Sequence, residues 1–199
     1  MTFFHLSRQT LHTTVWLLCA WATSVAWAQD APRVKLTTNA GDIVVEVYPD
    51  KAPKTAENFL QYVRDKHYDG TIFHRVIGNF MIQGGGYDQR YMERATRAPV
   101  VHEGREALAK GGPRNTVGTI AMARTNVPNS ATSQFFINVA DNGFLDPSPQ
   151  QPGYTVFGRV VSGMEVVQRI KSAPTSSGGP FATDVPRTAI VIQSATLEK

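Results

Sequence analysis

The chain reads as a mainly β protein, a closed antiparallel barrel capped by two α-helices. Three observations carry that expectation. Between residues 71 and about 158, short apolar runs are broken by glycine, proline and asparagine, at a spacing that leaves no room for helices between strands. A hairpin pattern precedes them. Only two stretches repeat apolar residues at the three- and four-residue steps of an amphipathic helix, and no linker divides the chain.

Residues 1–28 read as a targeting segment. Arg8 is their only side chain with a full charge, Val15-Trp16-Leu17-Leu18-Cys19-Ala20-Trp21-Ala22 is an apolar run, and Ala26-Trp27-Ala28 is a small-x-small cleavage pattern. A cut after Ala28 would leave a single domain of residues 29–199, a size that supports one sizeable core. Thr23 and Ser24 interrupt the apolar run, which falls short of the ~20 residues of a spanning helix, so no stable membrane anchor is expected. Leu17 and Leu18 are bulky where small residues should precede a lipidated cysteine. Removing Arg8 lowers the formal net charge from +4 to +3. The basic residues are scattered, which argues against a nucleic-acid partner. Cys19 is the only cysteine, so the cleaved chain would hold no disulfide, thiol nucleophile or cysteine metal site.

Arg33-Val-Lys-Leu-Thr-Thr38 and Asp42-Ile-Val-Val-Glu-Val-Tyr48 alternate around the turn signal Asn39-Ala-Gly, which predicts a hairpin. Pro53 suits a first helical turn, and Ala56, Phe59, Leu60 and Val63 follow on one face, predicting a helix from Pro53 to about Asp65. Strands are expected at 71–77, 80–83, 118–123 and 134–139. Ser162 with Glu165 three residues on reads as a capping box opening a second helix, with Met164, Val167 and Ile170 as its buried stripe. Pro174 and Ser176-Ser-Gly-Gly-Pro180 end it, and a last strand lies within 187–197.

The chemistry concentrates in three clusters. Phe73-His-Arg-Val-Ile-Gly-Asn-Phe-Met-Ile-Gln-Gly-Gly85 sets an arginine and an amide among large apolar groups. Alternation would place Phe73, Arg75 and Ile77 on one face of a strand and His74 and Val76 on the other. The second cluster joins Met122-Ala-Arg124 with Ser133-Gln-Phe-Phe-Ile-Asn138, and the third joins Gly143-Phe-Leu-Asp146 with Tyr154-Thr-Val-Phe-Gly158.

In this order, Phe-His-Arg-Val, Phe-Met-Ile-Gln-Gly-Gly, Met-Ala-Arg, Ser-Gln-Phe-Phe-Ile, Phe-Leu-Asp and Val-Phe-Gly resemble the successive signatures of the cyclophilins, from about Val34 to Leu197. The Met-Ala-Arg and Phe-Leu-Asp forms resemble the family's bacterial periplasmic branch. The resemblance implies an eight-stranded antiparallel barrel closed by two helices and a periplasmic peptidyl-prolyl cis/trans isomerase that uses no cofactor. Its partners would be proline-containing polypeptides. It implies Arg75 as the catalytic arginine and Gln83 as the amide that holds it and contacts substrate. Phe80, Met81, Phe136 and Leu145 match the walls of a proline pocket, and Ala123, Arg124 and Gln134 match the neighbouring groove. His74 matches a mostly structural position. Phe144 stands where eukaryotic members carry a tryptophan that helps bind cyclosporin, and Tyr154 where they carry a pocket histidine. Weak cyclosporin binding is therefore expected.

The residues themselves also admit other readings. The apolar side chains could be ordinary core, and Phe73 and Phe135 are assigned to it. His67, His74 and His102 lack zinc-site spacing, so no metal is expected. Ser133 lacks the Gly-x-Ser-x-Gly elbow of a hydrolase nucleophile. Gly84-Gly85-Gly86 lacks the lysine of a phosphate loop and suits a tight turn or a close backbone approach. A module that binds proline peptides with little turnover is the alternative function, because the same pocket would serve it. No heptad or exposed apolar helix suggests assembly, so a monomer is expected.

Overall fold

The computed structural model describes Thr2 and residues 31–198. The expected targeting segment, residues 1–28, lies outside the described residues apart from Thr2. In chain order the elements are β1 (Arg33–Thr38), β2 (Gly41–Val47), α1 (Pro53–Arg64), β3 (Thr71–Ile77), β4 (Met81–Asp88), α2 (Gly104–Ala109), β5 (Thr119–Met122), β6 (Phe135–Asn138), β7 (Val156–Ser162), α3 (Met164–Lys171), β8 (Thr175–Gly178), β9 (Phe181–Pro186) and β10 (Val191–Leu197). Eight strands close a barrel in the order β1-β10-β3-β4-β6-β5-β7-β2, and β8 and β9 form a separate two-stranded sheet. Every pairing is antiparallel. Closure leaves the barrel no unpaired edge.

The expected hairpin and first helix form as read. In α1, Phe59 is fully buried and meets Tyr68, Phe135 and Phe157 at centroid distances of 5.3, 5.8 and 5.0 Å, so one helical ring joins an aromatic of the following turn to one each of β6 and β7. Burying such a side chain stabilises by about 1.5–3 kcal/mol. No side chain of α1 caps its own N-terminus. The Glu103 carboxylate does so from a distant loop, accepting bonds from the backbone N–H of Lys54 (3.1 Å) and of Thr55 (2.7 Å) and from the Thr55 hydroxyl (2.8 Å). Those donors would otherwise be orphaned at the helix start.

Four expectations need correction. First, there are three helices, because α2 lies inside the stretch read as strands; six residues are too few to show a helical period. Second, the capping box does not form. Ser162 is committed to β7, opposite Val44, and the cap position falls to Gly163 in the left-handed region, φ 86°. A Cβ there would lie 2.2 Å from the Asp42 carbonyl oxygen, so only glycine allows this approach. The buried stripe of α3 is Val166, Val167 and Ile170, with Met164 only partly covered. Third, residues 176–180, read only as the end of the second helix, belong to an unexpected hairpin of β8 and β9. Fourth, the alternation of β3 breaks. Phe73 pairs with Gly84 but Arg75 with Gln83, so a bulge at His74 puts two residues opposite one step of β4. Phe73 and Val76 both enter the main core, while Arg75 faces out.

Candidate active site on the barrel's outer face

The site follows from the two-residue period of three adjacent strands. Ile82 in β4 pairs with Ile137 in β6, which pairs with Ile120 in β5, and all three point into the barrel core. One step along, Gln83 pairs with Phe136, which pairs with Ala121. Successive side chains alternate faces, so this second row lies on the outside. Phe136 and Ala121 join Met81, Leu145 and Val156 in a second apolar cluster, with Ile77, Phe80, Ala123 and Tyr154 packed against it. The bulge in β3 then aims Arg75 to this same outer face, beside its partner Gln83.

Together these groups enclose a cavity of about 220 Å³ lined by Arg75, Phe80, Met81, Gln83, Ala123, Arg124, Phe136, Leu145 and Tyr154. That is several times the ~30 Å³ share of a water molecule and admits a five-membered ring. A second cavity of about 190 Å³ shares Gln83, Ala123 and Arg124 and adds Glu93, Thr125, Ser130, Thr132 and Gln134. The two adjoin through these shared residues, the first with Phe80, Met81, Phe136 and Leu145 among its walls and the second lined mainly by polar side chains. Cavities of about 550 and 490 Å³ elsewhere are larger but contain none of these residues.

Each wall has its own support. Leu145 sits in a short 3-10 turn, Gly143–Leu145, and its carbonyl accepts the backbone N–H of Tyr154 at 2.9 Å. Asp146, next in the chain, is buried and accepts bonds from the backbone N–H (2.8 Å) and amide (3.0 Å) of Asn115. The Asn142 amide donates to the Phe80 carbonyl at 2.8 Å and to Asn138 at 2.7 Å, joining the two apolar walls. Tyr154 meets Phe136 edge-on at 5.5 Å, and the Arg124 guanidinium lies 4.5 Å over the Tyr154 ring while donating to the Gly153 carbonyl. Arg124 is thereby tied to the segment that leads into β7.

Gln83 donates to the Gln134 side chain at 2.9 Å. Gly86 makes this possible, since a Cβ there would stand 2.5 Å from the Gln134 side chain. The glycines are thus a close approach within β4 and not a turn. The amide–arginine bond implied by the resemblance is not made. The partner of Arg75 is Asp184 of β9, with Nε and Oδ2 4.0 Å apart, a residue the sequence reading missed. No local signal marks Asp184; only the fold of the hairpin brings it here. Of the remaining expected site residues, Gln134 lines the neighbouring groove. Phe144 stands outside the 220 Å³ cavity, 64% exposed, with its ring stacked on Phe80 at 5.7 Å.

His74 is buried between Phe181 (5.2 Å, stacked) and Tyr87 (4.8 Å), and its Nδ1 has no hydrogen-bond partner. Burial, with the Arg75 charge adding to it, lowers its pKa to about 4. It serves as an aromatic filler, in keeping with a structural position.

A barrel with an arginine beside an apolar outer pocket can hold a small ring and present a fixed positive charge to it. The family description "Cyclophilin type peptidyl-prolyl cis-trans isomerase/CLD" matches residues 33–197, nearly the whole described chain. The chain belongs to this family and is a peptidyl-prolyl cis-trans isomerase. It is similar to "Peptidyl-prolyl cis-trans isomerase A" of Dickeya dadantii, 48% identical over 98% of this chain and 100% of that protein. It also resembles "Peptidyl-prolyl cis-trans isomerase B" of Escherichia coli, 49% identical over 83% of this chain and 99% of that one. Among solved structures, a cyclophilin-type isomerase of Cryptosporidium parvum superposes with a TM-score of 0.67 at 26% identity, covering 85% of this chain and 98% of the other.

Proposed function

We propose that the chain accelerates rotation about X-Pro bonds of exported proteins by electrostatic stabilisation of the twisted amide, with Arg75 as the catalytic group. The observation that carries this reading is the placement of a solvent-facing guanidinium at the edge of a ring-sized cavity walled by Phe80, Met81, Phe136 and Leu145.

The peptide bond resists rotation by ~18–20 kcal/mol because nitrogen shares its lone pair with the carbonyl. No covalent bond need break; the twisted amide must be bound better than the planar one. When the amide twists, the prolyl nitrogen becomes pyramidal and its lone pair localises. Arg75 keeps its proton at neutral pH and so offers N–H donors to that lone pair without acting as a base. Met81, Phe136 and Leu145 hold the ring while the acyl side turns, and Phe80 closes the edge. A low-dielectric wall also disfavours the charge-separated planar form and strengthens the arginine's field. A 10⁵-fold acceleration would require about 7 kcal/mol of differential binding. One charged hydrogen bond supplies about 1.5–3 kcal/mol, so orientation by the groove must contribute the rest. Gln83, Gln134 and Ala123 offer polar contacts to the substrate backbone along that groove. A neighbour from Cryptosporidium parvum was crystallised "in the presence of dipeptide ala-pro", which fits the same ligand class.

Exchange of a short proline peptide between its isomers, followed by NMR, tests the reading. Arg75→Ala should cost about 100-fold in kcat/KM, as loss of a transition-state donor does, with thermal stability unchanged. Undiminished turnover would remove Arg75 from the mechanism. In the same assay cyclosporin should inhibit only weakly, because Phe144 has no N–H to donate.

The export context belongs to the same proposal. Residues 1–28 act as a leader cleaved after Ala28, which delivers a monomeric domain to the periplasm. Expression in a bacterial host should yield periplasmic protein whose first residue is Gln29. An intact Met1 in the cytoplasm would contradict it.

A further inference from the structure

We propose that Asp184 is a positioning residue for Arg75, and that the β8–β9 hairpin is the arm that delivers it. The inference rests on Arg75 being the catalytic cation. Among the described residues, the Arg75 side chain has no hydrogen bond, and its one ion pair is with Asp184, Nε to Oδ2 at 4.0 Å. The neighbouring amide, Gln83, makes no hydrogen bond to Arg75 and donates through its Nε2 to Gln134. An arginine facing water with a long stem samples many rotamers, and freezing it costs free energy that a nearby counter-ion can offset. A carboxylate engaging Nε leaves the terminal N–H groups free to face the pocket, which Arg75 lines.

Two further observations point to the same role. Asp184 adopts φ 68°, in the left-handed region that non-glycine residues rarely occupy. Such a conformation persists where the surroundings hold it in place, and it gathers at functional sites. Its neighbours are indeed held: Val185 is buried, and the Thr183 hydroxyl donates to Asp184 Oδ2 at 3.0 Å. The hairpin is also clamped next to Arg75 itself. Phe181 stacks on His74, the residue before Arg75, and meets Tyr87 edge-on at 5.1 Å. The bulge that turns Arg75 outward and the hairpin that meets it are therefore fixed by one aromatic cluster.

The test is a double-mutant cycle in the full mature enzyme, read by the proline-peptide exchange assay at low salt. Asp184→Asn keeps the shape and removes the charge. It should lower kcat about two- to fivefold, the range for a half-exposed ion pair, with KM and the thermal midpoint unchanged. Asp184→Glu should restore part of the loss. In an Arg75→Ala background, Asp184→Asn should have no further effect, since the two residues act as one unit. Added salt should shrink the difference between wild type and Asp184→Asn. Wild-type kcat in Asp184→Asn, or an equal loss in both backgrounds, would overturn the positioning role while leaving Arg75 in place. Full activity of Arg75→Ala would instead overturn the mechanism on which the role rests.

Discussion

His74 shows how one buried side chain can set a pH limit. Its folded pKa is lowered to about 4, against about 6.5 for an unburied imidazole. The unfolded chain therefore binds a proton that the folded chain refuses between those two values. The stability that neutral His74 contributes is fully present above pH 6.5 and is lost as pH falls towards 4. Roughly 3 kcal/mol should disappear across that window, over and above the background acid sensitivity of the carboxylates. Urea unfolding at pH 7 and pH 4.5 measures it. His74→Phe, which keeps the stack between Phe181 and Tyr87, should flatten that part of the profile; an unchanged slope would exclude His74 as its source. Arg75 stands next to it; its segment stood out by residue type and neighbours, but its role as the catalytic arginine is what the family resemblance implies. Its facing, however, came from the bulge, which simple alternation misassigns.

At the level of elements, α1 depends on a partner far along the chain. Its N-terminal N–H groups are satisfied by Glu103, which is itself buried and accepted by the fold through a backbone bond to the Thr155 hydroxyl at 3.2 Å. Glu103→Ala should destabilise the protein by about 2 kcal/mol, the sum expected from a lost cap and lost charged hydrogen bonds. Glu103→Gln should cost less, because one acceptor oxygen remains. Chemical denaturation measures both. The site should stay competent at temperatures below the lowered midpoint, since α1 does not line the groove. The two longer helices were legible because each runs for two or more turns with an apolar stripe. Six-residue α2 offers too short a period to be seen, and the exposed, serine-rich β8 lacks the alternation that marks a half-buried strand. The missing capping box is a conflict of a different kind. Ser162 has the right spacing, but strand pairing claims its backbone first.

At the scale of the whole molecule, the barrel separates two apolar populations with one chain. Inward rows build the core, and the outward row of β4, β5 and β6 builds the pocket floor, so the same alternation serves stability and site. The sequence by itself determined the barrel class and the positions of most strands; it pointed to Phe80, Met81, Gln83, Phe136 and Leu145 as pocket residues only through the ordered motifs of the family resemblance, since the apolar four taken singly read as ordinary core. The strand positions are local, because residue type and two-residue period act over a few neighbours. Only the tertiary structure decided that Arg75 faces the pocket while Phe73 does not, that Gln83 holds Gln134, and that Asp184 meets Arg75. Each of these depends on a register between strands or on the docking of the β8–β9 hairpin. Register is a relation between distant segments, and it is set by packing and closure of the barrel as a unit, which no short window of sequence contains.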